Sequence, residues 1–217
     1  MKVILVCDDL WHPAEVIERG IRNMDCEDIE FDIVKTAKDI LTPEMLRAYD
    51  ALIVAKGNAI NAANCALWFE PTVTECGPEE IRDYVLEGGA LIALHAGLCL
   101  SRDAAPAYTE TVGSYFLGHP LREITHVHVV KEHPIVKGVS DFSERDEHYQ
   151  IAVTAQDADI FMTTTSNSGG TFPSGYAREF GKGRVAGLTP GHTLTVWNNP
   201  NFQQMLKNAV RWCAHKM

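Results

Sequence analysis

The sequence predicts an α/β fold, a three-layer α/β/α arrangement around a central, mostly parallel sheet. Short apolar runs without polar interruption alternate with helix-like segments. Such runs are typical of parallel strands that are buried on both faces and covered by helices. The 217 residues, of which 46% are hydrophobic and 22% charged, suffice for a full core. We therefore expect a single domain over residues 1–217.

Four strands are predicted in the first half of the chain, three of them buried and the second alternating, with helices between them. Pro13 and Pro78 stand where helices begin, because proline is tolerated in the first helical turn. Gly88 and Gly89 end the second of these helices. Residues 56–77 form a long connection, and loops of this length usually serve function or carry local structure. The strands are expected at Val3–Cys7, Ile29–Val34, Ala51–Ala55 and Ala90–Leu94.

After residue 105 the pattern changes to a series of strand candidates. Residues 181–183 predict a tight hairpin between the last two, and residues 165–175 read as a flexible Gly/Ser loop. Asn199 and Pro200 are typical of the start of a helix, which ends the chain. The strand candidates are Thr125–Val130, Phe142–Ile151, Ile160–Thr164, Tyr176–Phe180 and Arg184–Leu188.

Charge and composition exclude several classes of partner. The 19 Lys+Arg against 29 Asp+Glu give a net charge of −10, which argues against nucleic acid and against an anionic membrane. No apolar run reaches the ~18 residues of a membrane span, and the start lacks the features of a signal peptide. The six cysteines are scattered, without a zinc-ribbon or disulfide pattern. We expect a cytoplasmic protein, and association into a homo-oligomer is left open.

Histidines follow the carboxyl ends of predicted strands, where ligands bind in parallel sheets. His95 comes directly after Ala90–Leu94 at a turn with small residues, the elbow geometry of nucleophilic hydrolases. His119 and His192 also follow turn or strand ends. Three imidazoles with one carboxylate would hold a divalent metal such as zinc. They could equally bind a polyhydroxylated substrate directly, and His95 could simply cap its strand.

Two further features bear on a pocket near these histidines. On a strand, Glu147 and Tyr149 share one face and Asp146 and His148 the other. A Glu–Tyr pair facing a pocket would supply a general base and a hydrogen-bond donor, whereas the alternative is an exposed charged strand end. Trp68, in the long connection, could stack on a sugar or pack in the core.

In order, the chain carries GGALIALHAG, FLGHP, HPI, FSERDEHYQ, GYAREFGKGRVAGLTPGH and a final RWC. With this series it resembles the ThuA-like (trehalose-utilisation) family, most clearly over residues 85–217. The resemblance implies a flavodoxin-like fold similar to class I glutamine amidotransferases, and a role in the use of trehalose or related keto-sugars. The residues that match the family motifs are His95, Gly118, His119, His133, Asp146, Glu147, Tyr149, Gly191 and His192.

The amidotransferase comparison argues against glutamine hydrolysis. Those enzymes carry a cysteine at the elbow and a His-x-Glu pair late in the chain. Here the elbow carries His95, and the residue two positions after His192 is Leu194. The nucleophile and the orienting acid of a thioester mechanism are both missing. We expect Cys99, one turn beyond the elbow, to point into helix packing.

The sequence thus favours an enzyme that acts on a sugar or keto-sugar as its small-molecule partner. Two alternatives stay open: a non-catalytic ligand-binding or subunit module that kept the fold, and a thiol hydrolase that uses Cys99. The candidate catalytic residues are His95, Glu147 and His192. The candidate substrate contacts are His119, Tyr149 and Trp68, and the candidate metal ligands are His95, His119 and His192.

Overall fold

The computed structural model describes residues 1–58 and 67–217; residues 59–66 of the predicted long connection, Cys65 included, lie outside this description. The strands described are β1 (Lys2–Val6), β2 (Glu30–Val34), β3 (Ala51–Val54), β4 (Ala90–Leu94), β5 (Ser114–Gly118), β6 (Glu123–Val129), β7 (Phe142–Asp146), β8 (Gln150–Val153), β9 (Asp159–Ser166), β10 (Gly170–Phe180) and β11 (Gly183–Leu188). The α-helices are α1 (Ala14–Asn23), α2 (Ala37–Ile40), α3 (Pro43–Ala48), α4 (Pro78–Glu87), α5 (Pro106–Val112), α6 (Leu194–Asn198) and α7 (Pro200–Cys213). No helix within the described ranges is long and apolar enough to cross a membrane.

One large sheet contains nine of these strands, in the order β2-β1-β3-β4-β11-β10-β9-β6-β7. The half from β2 to β11 is parallel throughout, whereas β10, β9, β6 and β7 pair antiparallel. The predicted mostly parallel sheet is therefore corrected to a mixed one. The cause is connection length, since short turns join β9 to β10 and β10 to β11, and a short turn imposes antiparallel pairing. Strands β5 and β8 form a separate antiparallel pair.

Helices cover both faces of the parallel half. Along β1, Val3 and Leu5 pack against α1, α6 and α7, and Ile4 and Val6 face the second core cluster with α3 and α4. Every second side chain of a strand points to the opposite face, so a strand buried on both sides must be apolar at each position. This explains the uninterrupted apolar runs of β1, β3 and β4 and yields three layers.

Two predictions for the second half are wrong in detail. Residues 165–175 belong mostly to β9 and β10, which leave only a short turn at 167–169 in place of a flexible loop. The predicted strand Phe142–Ile151 is two strands, because β7 ends at Asp146 and β8 begins at Gln150 in the other sheet. Of the three residues between them, Glu147 and Tyr149 enter the site described next, whereas His148 contacts Ser166.

Candidate functional site

The site lies at the carboxyl edge of the parallel half of the sheet. The loop after β1 contributes His12, the turn after β4 contributes His95, and the loop after β11 contributes His192. Glu147 reaches the same place from the link between β7 and β8. Because the ends of parallel strands meet along one edge, residues about 180 positions apart in the chain become neighbours.

His95 occupies a strained turn directly after β4. Its φ is +47°, in the left-handed region that few non-glycine residues adopt, and its side chain is only 3% exposed. Gly97 makes the turn sharp: a Cβ there would lie 1.9 Å from the carbonyl oxygen of Val54. Strain of this kind persists where the surroundings over-determine it, as at functional sites. The elbow thus fixes the imidazole at the top of the sheet.

Four histidine nitrogens converge on one carboxylate oxygen, Glu147 Oε2. The distances to it are 3.0 Å from His192 Nδ1, 3.6 Å from His95 Nε2, 3.8 Å from His119 Nε2 and 4.0 Å from His12 Nε2. The ring nitrogens of His95 and His192 are 3.4 Å apart. Among the described residues, the ligand atoms of His12, His95, Glu147 and His192 all lie within 4.8 Å of one another. This spacing would let one metal ion contact all four.

Backbone carbonyls orient two of these rings. His95 Nδ1 lies 2.7 Å from the Thr189 carbonyl oxygen, and His119 Nδ1 lies 2.8 Å from that of Pro120. A carbonyl oxygen can only accept, so each Nδ1 carries the hydrogen. In the neutral ring, Nε2 then presents a lone pair, and in both residues that lone pair is directed to Glu147.

Asp9 orients His12 in the same way. Its Oδ1 accepts from His12 Nδ1 at 2.7 Å and from the backbone N–H groups of Trp11 and His12, and its Oδ2 accepts from Gly57 N at 2.8 Å. Burial raises the pKa of Asp9, but these hydrogen bonds outweigh it and hold that pKa below its usual range. The ionised carboxylate therefore ties the loop after β1 to the end of β3.

Asp146 places His192. Its two carboxylate oxygens accept from the backbone N–H groups of Gly191 at 2.9 Å and His192 at 3.0 Å. The side chain is fully buried, and burial raises its pKa to about 7 although both N–H groups act against the shift. The adjacent residues Asp146 and Glu147 therefore have different roles: Asp146 holds the loop after β11, and Glu147 faces the histidine cluster.

Two hydrogen-bond acceptors, a carboxylate oxygen and an imidazole nitrogen, face each other at the centre of the site. Burial lowers the pKa of His95 to about 4, so this ring is neutral at pH 7. Burial raises the pKa of Glu147, but the hydrogen bond from His192 Nδ1 at 3.0 Å outweighs it, and the pKa stays well below its usual range. A carboxylate thus faces the lone pair of His95 Nε2 at 3.6 Å. His192 Nδ1 lies 3.0 Å from the carboxylate oxygen and 3.4 Å from His95 Nε2, so a proton on it, or a cation in its place, would offset the repulsion between the two acceptors.

Tyr149 is packed between two of the histidine rings. Its ring stacks on His95 with centroids 3.9 Å apart and lies 5.5 Å from that of His119. Its hydroxyl donates to His12 Nε2 at 3.0 Å. Cys99 lies beside Tyr149 on the cavity wall, which corrects the expectation that it points into helix packing. Burial raises the pKa of its thiol to about 12, so Cys99 is a poor nucleophile.

A cavity of about 650 Å³ opens in front of the cluster. Trp11 stands at its mouth with 63% of its surface exposed, on the loop that Asp9 fixes. Trp68 is only 1% exposed and packs edge-on against Phe69 and Tyr108 in the core. The predicted substrate contact by Trp68 is corrected on this ground, since a ring enclosed in this way offers no face to a ligand.

The structure thus brings five of the six predicted site residues together and leaves Trp68 outside. The group with metal-ligand spacing contains His12, which the sequence reasoning missed, in place of His119. Trp11 was missed as well. The available signal was DDLWHP, a polar and aromatic run directly after the first buried strand.

These features define an α/β protein with a histidine–glutamate site at the carboxyl edge of its parallel strands. Comparison with protein families matches residues 8–213 to ThuA, described as trehalose utilisation. The chain belongs to this family. Among curated proteins, none matches the sequence.

Several solved structures share the fold. A protein described as ThuA-like from Bacteroides uniformis superposes with a TM-score of 0.74 at 18% identity, over 98% of this chain and 91% of that one. A cytoplasmic protein from Salmonella typhimurium gives 0.69 at 18% identity, over 98% and 99%. A β-galactosidase from Rahnella sp. R3 gives 0.66 at 15% identity, over 97% of this chain but 30% of that one. At these identities the likeness shows the fold alone.

Proposed function

We propose that this protein is a divalent-metal-dependent enzyme that acts on a sugar or keto-sugar related to trehalose. The observation that carries the proposal is the convergence of histidine nitrogens on Glu147 Oε2, with the lone pairs of His95 and His119 directed at it. These acceptors would together coordinate a divalent cation held at this point. We infer the sugar substrate from the family, which is described as trehalose utilisation.

The ligands we propose are His95, Glu147 and His192, with His12 as the fourth. Donors around a tetrahedral zinc ion lie about 3.3 Å apart, because the bonds are about 2.1 Å long. The distances of 3.0, 3.4, 3.6 and 4.0 Å measured within this group bracket that value. Metal-bound histidines usually donate their second N–H to a carboxylate or a carbonyl. His12 does so to Asp9 and His95 to Thr189.

The remaining groups suit proton transfer and substrate contact. A bound metal would polarise a sugar carbonyl or lower the pKa of a water. His119, with its side chain 35% exposed, reaches the cluster from the rim, where it can pass a proton to or from the substrate. Coordination of a metal by His12 Nε2 would free the Tyr149 hydroxyl, which donates to that nitrogen, for contact with the substrate. Trp11 offers the apolar face of a sugar ring a surface at the mouth.

The finer fold assignment belongs to the same proposal. The parallel strands run in the order β2-β1-β3-β4-β11, which is the doubly wound order 2-1-3-4-5 of flavodoxin-like folds. The antiparallel half is an addition to that core. The Salmonella neighbour is described as a cytoplasmic protein, which supports a cytoplasmic location for this chain.

The test is metal binding by tag-free protein. We expect Zn²⁺ or Mn²⁺ to bind about one ion per chain and, at a hundred times Kd, to stabilise the fold by about 2.7 kcal/mol. For a chain of this size the midpoint of thermal unfolding rises by roughly 5–10 °C. His192→Ala should lose this rise. His126→Ala, at an exposed histidine on β6, is the matched control and should keep it.

Two results separate the alternatives. If neither ion binds and chelators leave both stability and turnover of a keto-disaccharide unchanged, the metal proposal is wrong. If the metal-loaded protein binds sugars but converts none, the chain is a ligand-binding module. The presence of this fold within a longer β-galactosidase chain would then be the relevant precedent.

A further inference from the structure

A second cavity adjoins the site, and the proposed function does not use it. It has a volume of about 720 Å³, against about 650 Å³ for the cavity in front of the cluster. We propose that it is a subsite for the second, non-reacting unit of a neutral two-unit sugar. This inference rests on the proposed function, because it assumes that the first unit binds at the histidine–glutamate cluster.

The two cavities share a wall. Cys99 and Phe116 line both of them. The Phe116 ring packs against the Tyr149 ring, with centroids 4.7 Å apart, and Tyr149 in turn stacks on His95. A ligand held at the cluster would therefore lie beside Phe116, which also lines the second cavity. The cavity beside residues 129–139 has a similar volume, about 630 Å³, but shares no lining residue with the site.

The walls of the second cavity suit hydroxyl groups. The exposed side chains of Arg102, Asp103 and Glu110 line it, and across the described residues none of the three forms an ion pair. The Arg102 guanidinium lies over the Tyr115 ring, 4.8 Å from its centroid, which limits its motion. A guanidinium held in this way donates two parallel hydrogen bonds to neighbouring oxygens. The carboxylates provide matching acceptors.

The charged side chains of the second cavity favour an uncharged sugar unit. One guanidinium stands against two carboxylates, so a sugar phosphate or a uronic acid would meet a net negative wall. Sugar hydroxyls satisfy both kinds of group, since each can donate and accept. The second cavity thus fits an uncharged sugar ring better than an anionic one.

The experiment compares three probes on the metal-loaded protein by calorimetry: glucose, trehalose and glucose 1-phosphate. We expect trehalose to bind at least tenfold tighter than glucose, and glucose 1-phosphate to gain nothing over glucose. Arg102→Ala should weaken trehalose about tenfold, the worth of one hydrogen bond to a charged group, and leave glucose unchanged. Lys137→Ala, beside the unconnected cavity, is the control and should change neither affinity.

Each contrary result has its own meaning. Equal affinity for glucose and trehalose, or equal weakening of both by Arg102→Ala, overturns the subsite and leaves the proposed function standing. Preferential binding of glucose 1-phosphate overturns the neutral class. If none of the three probes binds, the subsite is overturned, and the proposed function is then decided by metal binding and by turnover of the keto-disaccharide.

Discussion

His95→Asn tests the physical account of the site most directly. Asparagine tolerates a positive φ better than most residues, so it suits the elbow. Its amide can donate to the Thr189 carbonyl from near the position of Nδ1, but it does not titrate. The substitution therefore keeps the backbone and the orienting hydrogen bond while it removes the buried imidazole.

The size of the effect follows from the pKa of His95, which burial lowers from 6.5 to about 4. The folded state favours the neutral ring. The contribution of His95 to the free energy of unfolding is therefore complete above pH 6.5 and is lost as the pH falls to 4. This gap is worth about 3 kcal/mol. Asp146 acts in the opposite direction, because its pKa is raised from 3.8 to about 7 and its ionisation costs stability as the pH rises. Asp146 is present in both proteins, so its contribution cancels in the difference.

The assay is urea unfolding of both proteins at steps between pH 8 and 4.5, with chelator present so that metal release does not contribute. We expect the wild type to lose up to about 3 kcal/mol more than His95→Asn over this range. At pH 8 the variant itself should be less stable, because ring packing is lost. His126→Asn should keep the wild-type pH dependence. Parallel curves for wild type and His95→Asn would refute the reasoning.

Three further predictions concern neighbouring residues. Gly97→Ala should destabilise the fold by more than about 3 kcal/mol or prevent folding, because the added Cβ meets the Val54 carbonyl oxygen at 1.9 Å; chemical denaturation measures this, and near-wild-type stability would contradict it. Asp146→Asn should weaken metal binding about 10–100-fold by freeing the His192 loop, as a competition titration would show, and an unchanged Kd would count against the positioning role. The thiol of Cys99 should react with iodoacetamide at pH 8 about a thousandfold slower than a free thiol, since its pKa is about 12; fast labelling of the folded protein would be inconsistent with that pKa.

The buried strands could be predicted because burial on both faces requires an apolar residue at every position, which appears in the sequence as an uninterrupted apolar run. Strand β4 has the predicted limits, Ala90–Leu94, whereas β3 differs from its prediction by one residue at one end and β1 by one residue at each end. The same signal located His95, since a polar residue after five apolar ones must lie where the sheet ends. For such residues, the position directly after a strand in the sequence fixes the place at the edge of the sheet.

The rest of the site depends on contacts that no local pattern contains. His12 lies on a loop that takes its shape from Asp9, whose partner Gly57 is 48 residues away. Trp11 and Trp68 are equally aromatic in the sequence, and only packing against Tyr108 separates the buried ring from the exposed one. Strand β5 was missed altogether, because its partner β8 lies far along the chain and its own burial pattern is mixed.

The turn after β4 shows how this protein can keep the backbone of the elbow while the chemistry of the residue on it changes. The turn after β4 holds His95 at a positive φ and encloses its side chain. Burial raises the pKa of a thiol, so a cysteine there would need a base and an orienting acid, and Leu194 stands where that acid would be. Burial lowers the pKa of an imidazole, which needs no such help to present a lone pair at neutral pH. The environment that would disable a cysteine therefore suits a histidine ligand, and the chemistry changes while the backbone does not.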